Sequence, residues 1–187
     1  MKKIVITGGI GYIGTELCKI YSGYSWNDSI TVIDNRFISE RVNQLRNWNI
    51  NFIHGDILDN ELIKRHCKDA DVVHHLAGVT AVPRVKSESS DDQDKHISEA
   101  AQQGTKNILD SISDKCKIIM PSTHVVYEGL ESVKKNINEN EKTKPVLAYG
   151  KSKDINENQL KNSGKNYIIL RLGSVYGYST DTARIDI

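Results

Sequence analysis

Six short runs rich in Ile and Val recur along the 187 residues: KIVIT (3–7), ITVID (30–34), NFIHG (51–55), DVVHHLA (71–77), CKIIMPS (116–122) and NYIILRLG (166–173). They lack the polar alternation of a strand with one wet face, so each is expected to be a strand buried on both faces of a parallel sheet. Parallel neighbours cannot be joined by tight hairpins and need crossovers of about a dozen residues or more. The intervening segments are long enough, and helices are expected at 12–21, 39–47, 59–67, 93–113 and 149–163. Strand and helix in alternation imply an α/β doubly wound sheet with helices on both faces.

The length fits one domain with a sizeable core. A net charge of +1 and the lack of a long Lys/Arg run argue against a nucleic-acid partner. Cys18, Cys67 and Cys116 are odd in number, widely spaced and form no CxxC pair. They argue against a disulfide framework or a zinc site and for a reducing compartment. No metal-ligand spacing links the histidines. The apolar stretch near Met1 is too short for a signal peptide or a membrane span, so no membrane is expected and the cytoplasm is the expected location. RVKSESSDDQ (84–93) reads as a polar loop, and ESVKKNINENEKTKP (131–145) as a mobile flap ahead of Tyr149. His74 and His75 read as core or pocket residues of a strand, and Trp26 and Trp48 as packing residues.

Between the first strand and the first helix stands GGIGYIG, which supplies Gly9-x-Gly11-x-x-Gly14. Glycines there let the backbone approach a pyrophosphate, and the helix N-terminus offers free N–H groups and positive potential. Gly14 would let helix and strand pack closely. Asp34 ends the second strand, about 20 residues on, where a carboxylate can accept from both ribose hydroxyls and repel an added phosphate. The cofactor expected is therefore NAD, although Arg36 nearby could partly neutralise the phosphate of NADP. Tyr149 and Lys153 in AYGKSK are four apart and share a helix face. A free phenol, with a pKa of about 10, is a poor base at neutral pH. A neighbouring ammonium favours the phenolate and makes it a usable one.

Taken together these motifs resemble the extended short-chain dehydrogenase/reductase family, the NAD-dependent sugar-nucleotide epimerases and dehydratases. Gly8, Gly11 and Gly14 match its GxxGxxG spacing. HGDILD, HHLAGVTAV, GTKNIL, PSTHVVY, AYGKSK and LRLGSVYG match further elements in family order. The resemblance implies a Rossmann-like fold. It also implies cofactor contacts from Gly8, Gly11, Tyr12, Ile13, Gly14, Asp34, Asn35, Asp56, Ile57, Leu76, Ala77 and Gly78, joined by Tyr149 and Lys153. Thr123, Tyr149 and Lys153 are the implied catalytic set, with Thr123 on the reacting oxygen and Ser122 the lesser candidate for that role. Lys153 would also hold the nicotinamide ribose.

The resemblance implies a nucleotide-sugar substrate, a reaction like 4-epimerisation, and a homodimer through the long helices around 93–113 and 149–163. A nucleotide-sugar reductase, dehydrogenase or dehydratase on the same scaffold, and a non-catalytic NAD-binding module, are the alternatives. Ala101 stands where the family has an Asn, and Ser174 where it has another. His124 and Val125 stand where its 4,6-dehydratases carry an Asp-Glu pair, which argues against dehydration. His124 reads as a strand-end polar residue or an extra acid/base. The family continues well past the VYG element. Residues 1–177 are thus expected to be the cofactor domain, and 178–187 the start of a substrate lobe that is otherwise missing.

Overall fold

The computed structural model describes residues 1–24, 28–79, 90–131 and 136–177. Trp26, most of the loop expected at 84–93, part of the flap and residues 178–187 lie outside that set. Six strands, β1 (Lys3–Thr7), β2 (Ser29–Asp34), β3 (Asn51–His54), β4 (Val72–His75), β5 (Lys117–Thr123) and β6 (Asn166–Leu172), form one sheet. Its order is β3-β2-β1-β4-β5-β6, with every pairing parallel. The helices α1 (Tyr12–Gly23), α2 (Ser39–Asn47), α3 (Asn60–Cys67), α4 (Asp91–Ser111) and α5 (Ala148–Asn162) connect the strands, and a 3-10 turn, His124–Tyr127, follows β5. The order reverses direction between β1 and β4, so the crevice beyond their carboxyl ends is the natural ligand site of such a sheet.

Alternation along β1 explains the layering. Ile4 and Ile6 belong to a core with Cys18, Val32 and Leu45, beneath α1 and α2. Val5 belongs to the other core, with Ile63, Ile108, Ile118 and Leu160 of α3, α4, β5 and α5. Trp48 packs against the first core. Cys18, Cys67 and Cys116 are buried free thiols, and burial pushes Cys18 and Cys67 up to about 12.

Three local expectations are corrected. The strands buried on both faces are the central ones; β6 is a sheet edge, and Tyr167, Ile168 and Leu170 are exposed there. α4 begins at Asp91 rather than residue 93, because Ser90 accepts a hydrogen bond from Gln93 N and Asp91, Asp92 and Asp94 favour the positive first turn. The described part of the supposed flap is a strap fastened to the body. Lys144 N donates to Val126 O at 2.7 Å, Gly129 N to Lys144 O at 2.9 Å, and Thr143 Oγ1 to Asp154 at 2.6 Å. No described helix is long and apolar enough to cross a membrane.

Candidate active site

The turn after β1 is built by the absence of side chains. Gly8 has φ +71°, and a Cβ there would stand 2.7 Å from Ala77 N. A Cβ on Gly14 would stand 2.5 Å from Gly8 O. The chain therefore passes close under the β4 end, and Gly11 precedes α1 as an N-cap with no side chain to cap the free N–H groups. Asp34, buried at the end of β2, accepts from Ile10 N at 3.2 Å and from Arg36 N at 3.0 Å. The half-exposed Arg36 guanidinium adds an ion pair at 3.3 Å. The carboxylate is thus fixed against the glycine turn from two sides.

The loop after β3 is held by α4. Gly104 makes room for Ile57, and Asn107 Nδ2 donates to Ile57 O at 2.9 Å and Leu58 O at 3.2 Å. Asp56 accepts from Asn35 Nδ2 at 3.0 Å and Leu58 N at 2.9 Å. Under the β4 end, His75 lies between Thr7 Oγ1 and Thr105 Oγ1, each at 3.0 Å. Burial, then the Lys153 charge, hold it down at about 3. His74 meets Tyr21 Oη at 2.7 Å, and burial holds it down at about 4. Both histidines are neutral core residues.

At the far side β5 ends in Ser122 and Thr123. Thr123 Oγ1 accepts from Val125 N at 3.3 Å. Ser122 Oγ donates to Glu157 at 2.6 Å, so its hydroxyl is committed inward. Lys153 lies below Tyr149 on α5, with Nζ 5.9 Å from the ring centroid and 3.0 Å from Pro121 O. Burial lowers the Lys153 ammonium to about 8. Glu157, one turn further, also takes Arg171 Nη2 at 2.6 Å and Lys161 Nζ at 2.9 Å. Burial raises the Glu157 carboxyl, but hydrogen bonds from Arg171, Ser122 and Lys161 outweigh it and hold it at about 2. Arg171 also donates to Tyr127 Oη and, at 3.0 Å, to Glu139 O of the strap. Glu128 accepts from Val146 N at 2.7 Å and Leu147 N at 2.6 Å, which sets the entry into α5 just before Tyr149.

One groove of about 600 Å³ runs along the carboxyl ends of the strands. It takes in Gly8, Gly11, Tyr12, Ile13 and Gly14 at the turn, Asp34 and Asn35 after β2, and Asp56 and Ile57 after β3. Leu76, Ala77, Gly78, Thr123, Tyr149 and Lys153 line its other end. A model of the NAD dependent epimerase/dehydratase family matches residues 4–186. The chain belongs to this family.

Among other members, a dTDP-D-glucose 4,6-dehydratase of Dictyostelium discoideum is 30% identical, over 95% of this chain and 44% of its own length. A putative UDP-glucose 4-epimerase of Methanocaldococcus jannaschii is 30% identical, over 95% and 57%. The solved UDP-glucose 4-epimerase of Thermotoga maritima with UDP-glucose superposes with a TM-score of 0.76 at 28% identity, over 96% of this chain and 58% of that one. The UDP-glucuronic acid 4-epimerase of Bacillus cereus, with UDP-glucuronic acid and NAD, gives a TM-score of 0.76 at 26% identity, over 97% and 60%. The chain thus spans about half the length of the curated relatives it matches.

NAD is the family's cofactor, and the residues present fit it: a cradle that any Cβ would fill, a helix N-terminus with free donors and a buried carboxylate share one groove. Sequence reasoning missed His96, Ala100, Leu172 and Val175 as groove-lining residues. No local pattern marks His96 and Ala100, and LRLGSVYG contains Leu172 and Val175 without saying that they face the groove, since α4 and the β6 end reach it only through tertiary packing. His124 does not line it; its Nδ1 lies 3.3 Å from Leu172 O. Among the described residues no group of three His, Cys, Asp or Glu could hold a metal.

Proposed function

We propose that this chain carries the cofactor site and the catalytic residues of a nucleotide-sugar 4-epimerase, within a cofactor domain of residues 1–177. The observation that supports this most is that Thr123, Tyr149 and Lys153 line the same groove as the glycine turn and Asp34. Gly8, Gly11, Tyr12, Ile13 and Gly14 would hold the pyrophosphate, Asp34 and Asn35 the adenosine ribose, and Asp56 and Ile57 the adenine. Leu76, Ala77 and Gly78 would border the nicotinamide end. When bound, NAD supplies reversible acceptance of hydride from a sugar carbon and its return to the opposite face.

The protein's own part is proton handling and orientation. Tyr149 takes the proton of the sugar hydroxyl and later gives one back. Lys153, buried on the same helix face, favours the phenolate by its charge. Thr123 holds the reacting oxygen by hydrogen bonding, since Ser122 is committed to Glu157. The Dictyostelium relative brings dehydration into view. Expelling a hydroxyl needs a second acid/base pair beside Thr123, and His124 with Val125 offers no carboxyl there.

Calorimetric titration with NAD and NADP, followed by incubation with UDP-glucose, tests the proposal. Expected of this chain is tighter binding of NAD than of NADP; expected of a form that also carries the remaining length of its relatives is conversion of the sugar without build-up of reduced cofactor, whereas steady reduction would identify a dehydrogenase instead. Tyr149→Phe is expected to cut turnover by about 10²–10⁴ while NAD binding persists. Unchanged turnover would overturn the assignment of Tyr149.

A further inference from the structure

A cavity of about 10 Å³ lies beside Lys153, lined by His75, Gly78, Ala101, Ser152 and Asn156 together with apolar side chains. That is about the room one water needs, and buried water also requires two or more polar partners. His75 has both ring nitrogens engaged, and Ser152 Oγ donates to Tyr149 O at 2.8 Å. Lys153 has one N–H on Pro121 O and two further donors.

Asn156 is buried with its amide orientation fixed. Nδ2 donates to Ala101 O at 2.9 Å and to Thr105 Oγ1. A carbonyl only accepts, so the NH₂ must face Ala101 and Oδ1 must face away. Thr105 Oγ1, which accepts from Asn156, also meets His75 Nε2, whose Nδ1 meets Thr7 Oγ1. The Ala101 carbonyl thus leaves Oδ1 as the amide's remaining acceptor.

We propose that Asn156 and this cavity hold one water molecule against the Lys153 ammonium, making Asn156 a positioning residue for the Tyr149–Lys153 pair. The significance for catalysis rests on the function proposed above. The water gives the ammonium a second neutral acceptor in a place where burial opposes its charge. It also supplies what the small side chain of Ala101 leaves out, since an amide at either 101 or 156 would border the same space.

The test follows the titration of Lys153 by NMR of the whole chain carrying ¹³C-labelled lysine, without cofactor or sugar. The ionisable groups on the faces around Lys153 are Tyr149 and Glu157 on its own helix, His75 on β4 and His96 on α4; β5 presents the Pro121 carbonyl. Ala101→Val fills the cavity and keeps the carbonyl that Asn156 uses. It is expected to lower the Lys153 midpoint by about one pH unit, the size of a lost hydrogen bond to a charged group. Asn156→Ala is expected to do the same, and adding Ala101→Asn to it to restore about the original value. A midpoint unmoved by Ala101→Val overturns the proposal, as does a failure of the double variant to recover. If Asn156→Ala does not fold, Ala101→Val decides alone. The readout needs no turnover, so a failure to bind NAD would count against the proposed function and not against the water.

Discussion

The two ends of the groove are constructed by different means. At the β1–β2 end, backbone lies against backbone. Gly8 and Gly14 leave no room for a Cβ, and Ile6 and Val32 beneath them are fully buried. At the β5–β6 end, side chains do the joining. Glu157 ties Ser122, Lys161 and Arg171 to one carboxylate, and Arg171 extends the tie to Tyr127 and the strap. One end is shaped by omission, the other by long-range ionic contacts beside an exposed strand. The first tolerates no added atom, and the second tolerates no lost charge.

The largest expected effect breaks the second end. Glu157→Ala strands Arg171 and is expected to cost about 3–5 kcal/mol in urea unfolding, the range for removing one partner of a buried pair. Gly8→Ala attacks the first end. A side chain at φ +71° and a Cβ against Ala77 N are expected to cost about 2–4 kcal/mol, with loss of NAD affinity in calorimetry.

Acid separates the two ends. The Glu157 carboxyl sits at about 2 in the folded protein against an ordinary 4.5. Its folded value is depressed, so its contribution is complete above about pH 4.5 and is lost as pH falls from there through about 2. Hydrogen exchange below pH 4.5 is expected to open the strap and β6 before β1; simultaneous opening would remove the distinction. The smallest effect concerns the exposed edge. Leu170→Lys is expected to change stability by no more than about 0.5 kcal/mol, whereas Ile118→Ala in the neighbouring strand costs about 2–5 kcal/mol.

The same contrast explains what was legible in the sequence. The glycine turn and Asp34 are visible because steric exclusion demands particular residues at fixed short spacings. The strands are visible because burial demands apolar runs. Tyr149 and Lys153 are visible as an i, i+4 pair. The roles of Glu157 and Arg171 are invisible, since fourteen residues separate partners that meet only through the sheet. The strap misled for a related reason. Its charged composition reads as solvated, yet backbone groups at Lys144 and Glu139 and the Thr143 hydroxyl fasten it. Asn156 looks like any helix-surface amide until Ala101 is found opposite it.

The Glu157 hub also imposes an order of events on a nascent chain. Every residue of the glycine cradle, together with Asp34 and the β4 end that covers Gly8, has been synthesised by residue 78. The helix that bears Tyr149 brings Lys161 to its own Glu157 carboxylate, but has to wait for Arg171 to complete the tie. A growing polypeptide can therefore shape the glycine cradle well before it can fix the helix that carries Tyr149.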